Sequence, residues 1–177
     1  MAGQRLTDKT ALEEQAGSGD LLMLVDVSDS SGSSAGTSKK TDFKYVIQTD
    51  KISLSNAEVQ DLTHAGSPKT LVGALSGYMV TPLNVTILVT YASATESSNS
   101  SLYLGYDSSS NSQYWVTMGR FMNGITTSNT YILASESGSA AHNASILNKP
   151  FLMWSSAAFN GGWSCDVYIT YAYTKVL

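Results

Sequence analysis

The sequence offers few of the residues that redox, zinc or nucleic-acid chemistry requires. It contains one cysteine and two histidines in 177 residues, so an internal disulfide is impossible and no cysteine–histidine cluster has zinc-site spacing. Charged residues make up only 14% of the chain, and the net charge is -4 at pH 7. Because nucleic-acid binding depends on a basic surface, we expect no nucleic-acid partner. Apolar runs stay well below the roughly 20 residues of a membrane-spanning helix, and we expect no membrane insertion.

Catalytic motifs are also missing from the sequence. There is no G-x-S-x-G stretch, the strained turn that exposes a nucleophilic serine in many hydrolases. His64 and His142 both lie in polar stretches that predict a turn and a loop. The stretch DVSDSSG lacks the alternating acids and the distal glutamate of a calcium loop, and it favours a turn that closes a strand. We therefore expect no enzyme activity, no cofactor and no metal.

Strand-like alternation is what the sequence does contain, and it dominates the chain after residue 50. In VTPLNVTILVTYAS, Val85, Ile87 and Val89 fall on one face, with threonines on the other. The final CDVYITYAYTKVL alternates in the same way from Cys165, which we expect to be a small buried residue. The pattern predicts an all-β fold for residues 51–177: an antiparallel, jelly-roll-like β-sandwich of about seven or eight strands. Shorter strand candidates lie at residues 69–72, 101–106, 113–118, 130–134 and 151–155.

One short segment, SNAEVQDL, admits two interpretations. Ser55 and Glu58 have the spacing of a capping box, which favours a short helical turn because each side chain would satisfy a backbone donor of the other residue. A strand that enters the sandwich is an equally good interpretation of the same residues.

The first 50 residues differ in character from the rest. Residues 18–40 read SGDLLMLVDVSDSSGSSAGTSKK, an apolar strand followed by a Ser/Gly-rich stretch. A strand needs ladder partners for its backbone groups, and no second strong apolar run lies nearby. We therefore predict that residues 1–50 form an extended N-terminal attachment arm with no strand pairing of its own, ordered only against the sandwich, a sister subunit or a larger assembly. Residues 51–177 would form the head domain.

Several stretches of the chain resemble virion proteins of tailed bacteriophages. LTDKTAL, then SGDLLMLVDVSD, then GTSKK is similar to an N-terminal module of tail-fibre and other virion proteins. ISLSNAEVQDLTHAGSPKTLVGALSGYMVTPLNVTILVTY, with the closing CDVYITYAY, resembles a small phage β-sandwich domain, although it has few prolines and no basic residue at the turn Gly77-Tyr78. The arm residues to which this resemblance assigns attachment are Leu6, Leu12, Asp20, Leu22, Leu24, Asp26, Lys39 and Lys40.

The resemblance implies a structural protein of the virion, made in the host cytoplasm. It would be a homotrimeric component of the tail-fibre type that docks on other virion proteins through its arm and presents the sandwich to the host surface. A capsid-decoration or head-fibre protein is the alternative within the same family.

Aromatic residues are the remaining candidates for contact sites. Tyr114 and Trp115 are adjacent, so on a strand they point to opposite faces, and one of them could stack on a host-surface glycan. Tyr168, Tyr171 and Tyr173 make both faces of the last strand aromatic, which suits a subunit interface around a threefold axis. Packing in the sandwich core is the alternative for these rings.

Two functions outside the virion family remain open. A free carbohydrate-binding lectin would need exposed tryptophans and no arm. A polysaccharide hydrolase would need two carboxylates at a fixed separation in a groove, and Asp107 and Glu136 are candidates for that pair.

Overall fold

The structure, a computed structural model, divides into two compact units, Met1–Val46 and Ile47–Leu177. We call them the N-terminal unit and the head. The predicted division after residue 50 would fall inside a strand of the head, Gln48–Leu54. The residues that the structure describes are 21–26, 31, 37–42, 46–63, 65–106, 114–134 and 146–175.

The N-terminal unit contains a two-stranded antiparallel sheet. Strand β1 (Leu21–Asp26) pairs with β2 (Thr37–Asp42), and the register places Leu24 opposite Lys39. This corrects the expectation that the apolar strand has no partner within the first 50 residues. The sequence TSKKTD of β2 lacks an apolar run, so the hydrophobic pattern does not reveal it. Backbone ladder bonds do not need apolar side chains, and a polar segment can supply them.

Within the described residues, the head consists of eight strands and one short helix, which confirms the all-β prediction. All of the predicted strands are present, with ends that differ from the prediction by one residue or a few. The sequence does not predict strand β3, because QTDKISL mixes polar and apolar residues without a clear alternation. In the structure only the two end residues of this strand are buried. The elements are β3 (Gln48–Leu54), α1 (Asn56–Gln60), β4 (Lys69–Val72), β5 (Tyr78–Tyr91), β6 (Leu102–Gly105), β7 (Tyr114–Met118), β8 (Asn129–Leu133), β9 (Phe151–Ser155) and β10 (Trp163–Lys175).

The strands of the head form two four-stranded antiparallel sheets, with the orders β3-β10-β5-β8 and β4-β9-β6-β7. The antiparallel pairs are nested in the sequence: β6 with β7, β5 with β8, β4 with β9, and β3 with β10. Successive pairs alternate between the two sheets, so the chain is one long hairpin rolled over itself. An eight-stranded double sheet with this connectivity is a jelly roll.

The core lies between the two sheets and follows the predicted alternation. Val85, Ile87 and Val89 of β5 are at most 2% exposed, and they face inward beside Val167 and Ile169 of β10, which are fully buried. Each such side chain contributes about 1.5–3 kcal/mol through its removal from water. The other sheet supplies Leu102, Leu104, Phe151 and Met153, all 0% exposed.

Pro82 lies inside β5 without interrupting the sheet. The register between β5 and β10 shifts between Thr170 and Tyr171, where Pro82 is opposite Tyr171. Strand β8 pairs only with Val85–Val89, so Pro82 lies outside the part of β5 that is paired on both sides. A proline is tolerated at such a bulge because it has no N–H to donate.

Helix α1 decides between the two interpretations of SNAEVQDL in favour of the helical turn. Ser55 is the N-cap, and both halves of the capping box are present: the Ser55 side chain accepts from the Glu58 N–H, and the Ser55 N–H donates to the Glu58 carboxylate. The buried residue of the helix is Val59. The capping box thus begins the helix where the sequence placed it.

Candidate functional site

Three connections between the sheets gather at one end of the head, which we call the loop end. They are residues 92–101 between β5 and β6, 119–128 between β7 and β8, and 156–162 between β9 and β10. In one sheet Tyr91 is opposite Trp163, so β5 ends where β10 begins. In the other sheet Leu102 is opposite both Met118 and Ser155, so β6 begins where β7 and β9 end. The antiparallel register therefore brings the three connections together.

Backbone hydrogen bonds join these three connections to one another. Segment 119–128 donates to segment 92–101, and segments 92–101 and 156–162 donate to each other. Since the bonds use main-chain groups, they fix the course of the loops whatever the exposed side chains are. They include Phe121 N to Ser100 O (2.9 Å), Gly124 N to Glu96 O (2.9 Å), Ala92 N to Gly162 O (2.8 Å) and Gly162 N to Ala94 O (2.7 Å).

The carboxylate of Glu96 lies at the centre of the loop end and is only 1% exposed. It accepts hydrogen bonds from the main-chain N–H groups of Ser98 (2.8 Å), Asn160 (3.0 Å) and Gly161 (2.8 Å). The indole N–H of Trp163 lies 3.4 Å away. A buried charge is tolerated when it is this well hydrogen-bonded. Glu96 thus ties two of the connections together through its charge.

The same hydrogen bonds determine the ionisation of Glu96. Burial by itself raises the pKa of this carboxyl, but the bonds from Ser98, Gly161 and Trp163 together outweigh burial. The pKa is held below the ordinary value of a glutamate. Glu96 is therefore ionised at neutral pH, and the carboxylate is the form that accepts hydrogen bonds from all four N–H donors.

Left-handed backbone is concentrated at the loop end. Asn99, Arg120, Met122 and Gly124 have φ values of 57°, 50°, 60° and 73°. For a residue with a side chain this conformation costs roughly 1–2 kcal/mol, and it persists only where the surroundings enforce it. Met122 is 2% exposed, and the Tyr131 hydroxyl donates to its sulfur at 3.3 Å. The core thereby holds segment 119–124 in one conformation and leaves Arg120 exposed.

The surface of the loop end is polar and composed of small residues. None of the large exposed apolar side chains of the described residues belongs to it, since these are Ile47, Leu83, Leu88 and Ile132. Arg120 is exposed, and its guanidinium forms no ion pair or hydrogen bond with any described residue. The other exposed residues of the three segments are alanine, glycine, serine, threonine and asparagine.

The structure separates the two aromatic residues proposed for glycan contact. Trp115 is 6% exposed and packs edge-on against Phe151, with the ring centroids 6.0 Å apart. The prediction for Trp115 is therefore corrected: it is a core residue with no free face. Tyr114 is half-buried, and its ring lies 5.8 Å from that of Tyr103. Trp163 is 1% exposed and belongs to the core.

The three tyrosines proposed for a subunit interface are also separated. Tyr171 is 4% exposed, and its hydroxyl lies 2.9 Å from both Gln48 Oε1 and Asp50 Oδ2. The prediction for Tyr171 is corrected, because its side chain is buried within its own chain. Half-buried Tyr173 donates to the carbonyl of Gly73 at 2.9 Å. Tyr168 alone of the three lies on the outer face of its sheet.

The contacts of Tyr171 specify how the Gln48 amide is oriented. A tyrosine hydroxyl has one proton and cannot donate to both Gln48 and Asp50. Gln48 Nε2 is buried without a partner. Turning the amide by half a turn lets Nε2 donate to Tyr171, and the hydroxyl then donates to Asp50. In that arrangement the Tyr171 hydroxyl accepts from Gln48 and donates to Asp50, so its one proton is enough for both contacts.

A cavity of about 210 Å³ lies beside α1, with Leu54 and Leu62 among its lining residues. The Lys69 ammonium at its rim is 2.7 Å from the Glu58 carboxylate. Hydrogen bonds from Lys69 and from Ser55 lower the pKa of Glu58 to about 2. The charge of Lys69 is therefore neutralised by Glu58 and is not available to bind an anion in the cavity.

The remaining sequence candidates for catalysis cannot be placed within the part of the chain that the structure describes. His64, His142, Asp107 and Glu136 lie outside the described residues. No group of three or more potential metal ligands is found among the described residues, and no described helix is long and apolar enough to span a membrane. Cys165 is buried, as predicted, and burial raises the pKa of its thiol to about 12.

The residues assigned to attachment are described only in part. Leu22, Leu24 and Asp26 are in β1, and Lys39 and Lys40 are in β2, where both lysines are exposed. The other three, Leu6, Leu12 and Asp20, lie outside the described residues.

Comparison with solved structures gives distant likenesses, and comparison with protein families and curated proteins gives none. The chain is similar to a chain in a massively expanded particle of equine rhinitis A virus, reported in work on structural plasticity in a picornavirus capsid. The identity is 10%, the match covers 99% of this chain and 87% of the viral chain, and the TM-score is 0.30. A likeness of this size supports no conclusion about function.

Proposed function

We propose that the chain is a structural protein of a bacteriophage virion, in which the N-terminal unit docks on the particle and the jelly-roll head projects from it. The observation that carries this proposal is the position of the phage-like motif. Its SGDLLMLVDVSD and GTSKK stretches fall in the N-terminal unit, Met1–Val46, which is compact by itself. A protein that docks through one part and projects another needs a docking module that folds separately from the head.

Within this proposal, a tail-fibre-type component is favoured over a capsid decoration, because the motif resembles fibre attachment modules. The jelly roll does not discriminate, since capsid proteins and lectins both use it. A homotrimer is part of the proposal. Of the three predicted interface tyrosines, Tyr168 remains available, and the exposed Leu88 and Ile132 lie on the outer face of the same sheet.

The docking role is tested by deletion of residues 1–46 in the phage that encodes the chain. Purified particles should then lack the protein, while the truncated head accumulates in the lysate. A matched control replaces Lys175 with alanine, an exposed cation at the far end of β10 from the loop end, and this variant should be incorporated normally. Gold-labelled antibody on intact particles would distinguish tail from capsid. Incorporation of the truncated chain at the wild-type level would refute the role of the N-terminal unit.

A carbohydrate-binding module is the second candidate function. All three tryptophans are buried, with 6%, 0% and 1% exposure for Trp115, Trp154 and Trp163, so the exposed tryptophans expected of a free lectin are not found. The polar, small-residue surface of the loop end favours instead a site that binds sugar hydroxyls through hydrogen bonds. The two candidates are compatible, because a virion head that contacts the host surface would need such a site.

A further inference from the structure

We propose that the loop end binds an acidic carbohydrate, with the Arg120 guanidinium on a carboxylate of the sugar and the neighbouring polar groups on its hydroxyls. This inference deepens the second candidate function and names its ligand class. It concerns the head only and does not require that the chain be part of a virion.

The first argument is that the loop end has a fixed shape. Glu96 is buried and ionised, and it holds segment 156–162 through Asn160 and Gly161. The Asn160 side chain extends this network, since its Oδ1 accepts from the main-chain N–H of Ser97 at 2.9 Å. A surface whose loops are held before the ligand arrives loses less conformational entropy on binding.

The second argument is the position and charge of Arg120. It is exposed on a backbone with φ of 50°, and the adjacent Phe121 N–H donates to Ser100 of segment 92–101. This bond holds the start of segment 119–128 beside segment 92–101. Glu96 is the only carboxylate in the three segments, and it is turned inward to main-chain donors. The exposed charge of the three segments is thus a single guanidinium, which pairs with carboxylates in a bidentate fashion.

The third argument favours a sugar over a peptide as the ligand of the loop end. Protein partners are bound mainly through large apolar or aromatic anchors in the centre of an interface. The described residues of the three segments expose no such side chain. Serine, threonine and asparagine groups suit a ligand with many hydroxyls, and the guanidinium selects a negatively charged one.

Exposed carboxylates lie on the connection between β3 and β4, at Glu58 of α1 and at Asp61, its C-cap. Helix α1 contacts segment 156–162, where the Asn56 amide donates to the carbonyl of Gly161 at 2.9 Å. Glu58 on this helix is paired with Lys69. Arg120 instead lies beside segment 92–101, next to the strands β7 and β8.

The test is a titration of the full chain with two acidic probes, an oligogalacturonate and a sialic-acid oligomer, and with a neutral maltooligosaccharide of matched length. We expect one acidic probe at least to bind and the neutral one not to. Replacement of Arg120 by alanine should weaken binding about tenfold, since a hydrogen-bonded charged group is lost. Arg120→Lys should give an intermediate loss, because the charge stays but the bidentate geometry does not.

Lys175→Ala is the matched control, since it removes one exposed cation from the opposite end of β10, about 40 Å from the loop end at the usual rise per strand residue. It should leave the affinity unchanged. Failure of both acidic probes to bind, or equal binding by Arg120→Ala and the wild-type chain, would overturn the inference. Equal affinity for an acidic peptide would also contradict it. None of these results bears on incorporation into particles, so the docking proposal is judged separately.

Discussion

The main-chain N–H of Gly161 donates to the carboxylate of Glu96 at 2.8 Å, across 65 residues of sequence. This bond joins the connection that follows β5 to the connection that precedes β10. Four N–H groups in all donate to this carboxylate. None of its described partners is a cation. The loop end of the head is therefore organised by one buried charge.

Replacing Glu96 with glutamine should destabilise the head by about 2–3 kcal/mol. The amide lacks the charge, and its NH₂ group would face main-chain donors that need an acceptor. Urea unfolding followed by tryptophan fluorescence measures the change. Glu58→Gln is the control, because Glu58 is an exposed carboxylate and glutamine also completes a capping box; its effect should be small. A midpoint for Glu96→Gln equal to that of the wild type would contradict the role assigned to Glu96.

Stability should fall as the pH drops below about 4.5, the ordinary pKa that Glu96 has when unfolded. The folded-state pKa of Glu96 is lowered, so its contribution is fully present above the unfolded value and is lost as the pH falls through the folded value. Glu58 and Asp166, whose pKa values are also lowered in the folded chain, act in the same direction. Unfolding free energies measured from pH 7 to pH 2 should show that Glu96→Gln has a weaker pH dependence in this range. Identical profiles for the two proteins would rule out Glu96 as a contributor.

Replacing Gly162 with alanine should destabilise the head by about 1–3 kcal/mol, the usual cost of overpacking. A Cβ at this position would meet the Ser93 side chain and would lie 2.6 Å from the main-chain nitrogen of Ala94. Gly119→Ala is a matched control on a neighbouring loop, since a Cβ there would meet nothing within 4 Å. Thermal unfolding of both variants gives the comparison. Equal losses of stability would mean that the close approach at Gly162 is not what requires glycine.

Cys165 should react very slowly with a thiol reagent in the native protein at pH 8. Burial raises the pKa of its thiol to about 12, and the side chain is 3% exposed. The thiolate is the reactive species, so both its population and its access are small. Reaction with a chromogenic disulfide should become fast only in denaturant. Rapid labelling of the native chain would contradict the position of Cys165 in the core.

The sequence predicted the larger part of the head because alternation is a local signal. Val85, Ile87 and Val89 are apolar at every second position, and one face of a strand must be buried whichever strand pairs with it. The capping box of Ser55 and Glu58 is equally local. Strand β3 lacks this signal, because it lies at the edge of its sheet and most of its residues are not buried.

Glu96 is the residue that sequence reasoning missed most clearly. It lies in the polar stretch ATESSNSS, where a solvated carboxylate is the ordinary expectation. Its burial depends on Asn160 and Gly161, which are more than 60 residues away in the sequence. The sequence leaves open which of Tyr114 and Trp115 faces the core, and the structure buries Trp115 against Phe151.

By itself, the sequence determined that the chain is all-β and that alternate residues of β5 and β10 form a core, and it limited residues 55–62 to a capped turn or a strand. Those features depend on the order of neighbouring residues. The tertiary structure alone decided which strands pair within the predicted jelly roll and that three distant connections meet around Glu96. Strand pairing and the burial of a charge depend on contacts between residues far apart in the chain, and no local pattern encodes them.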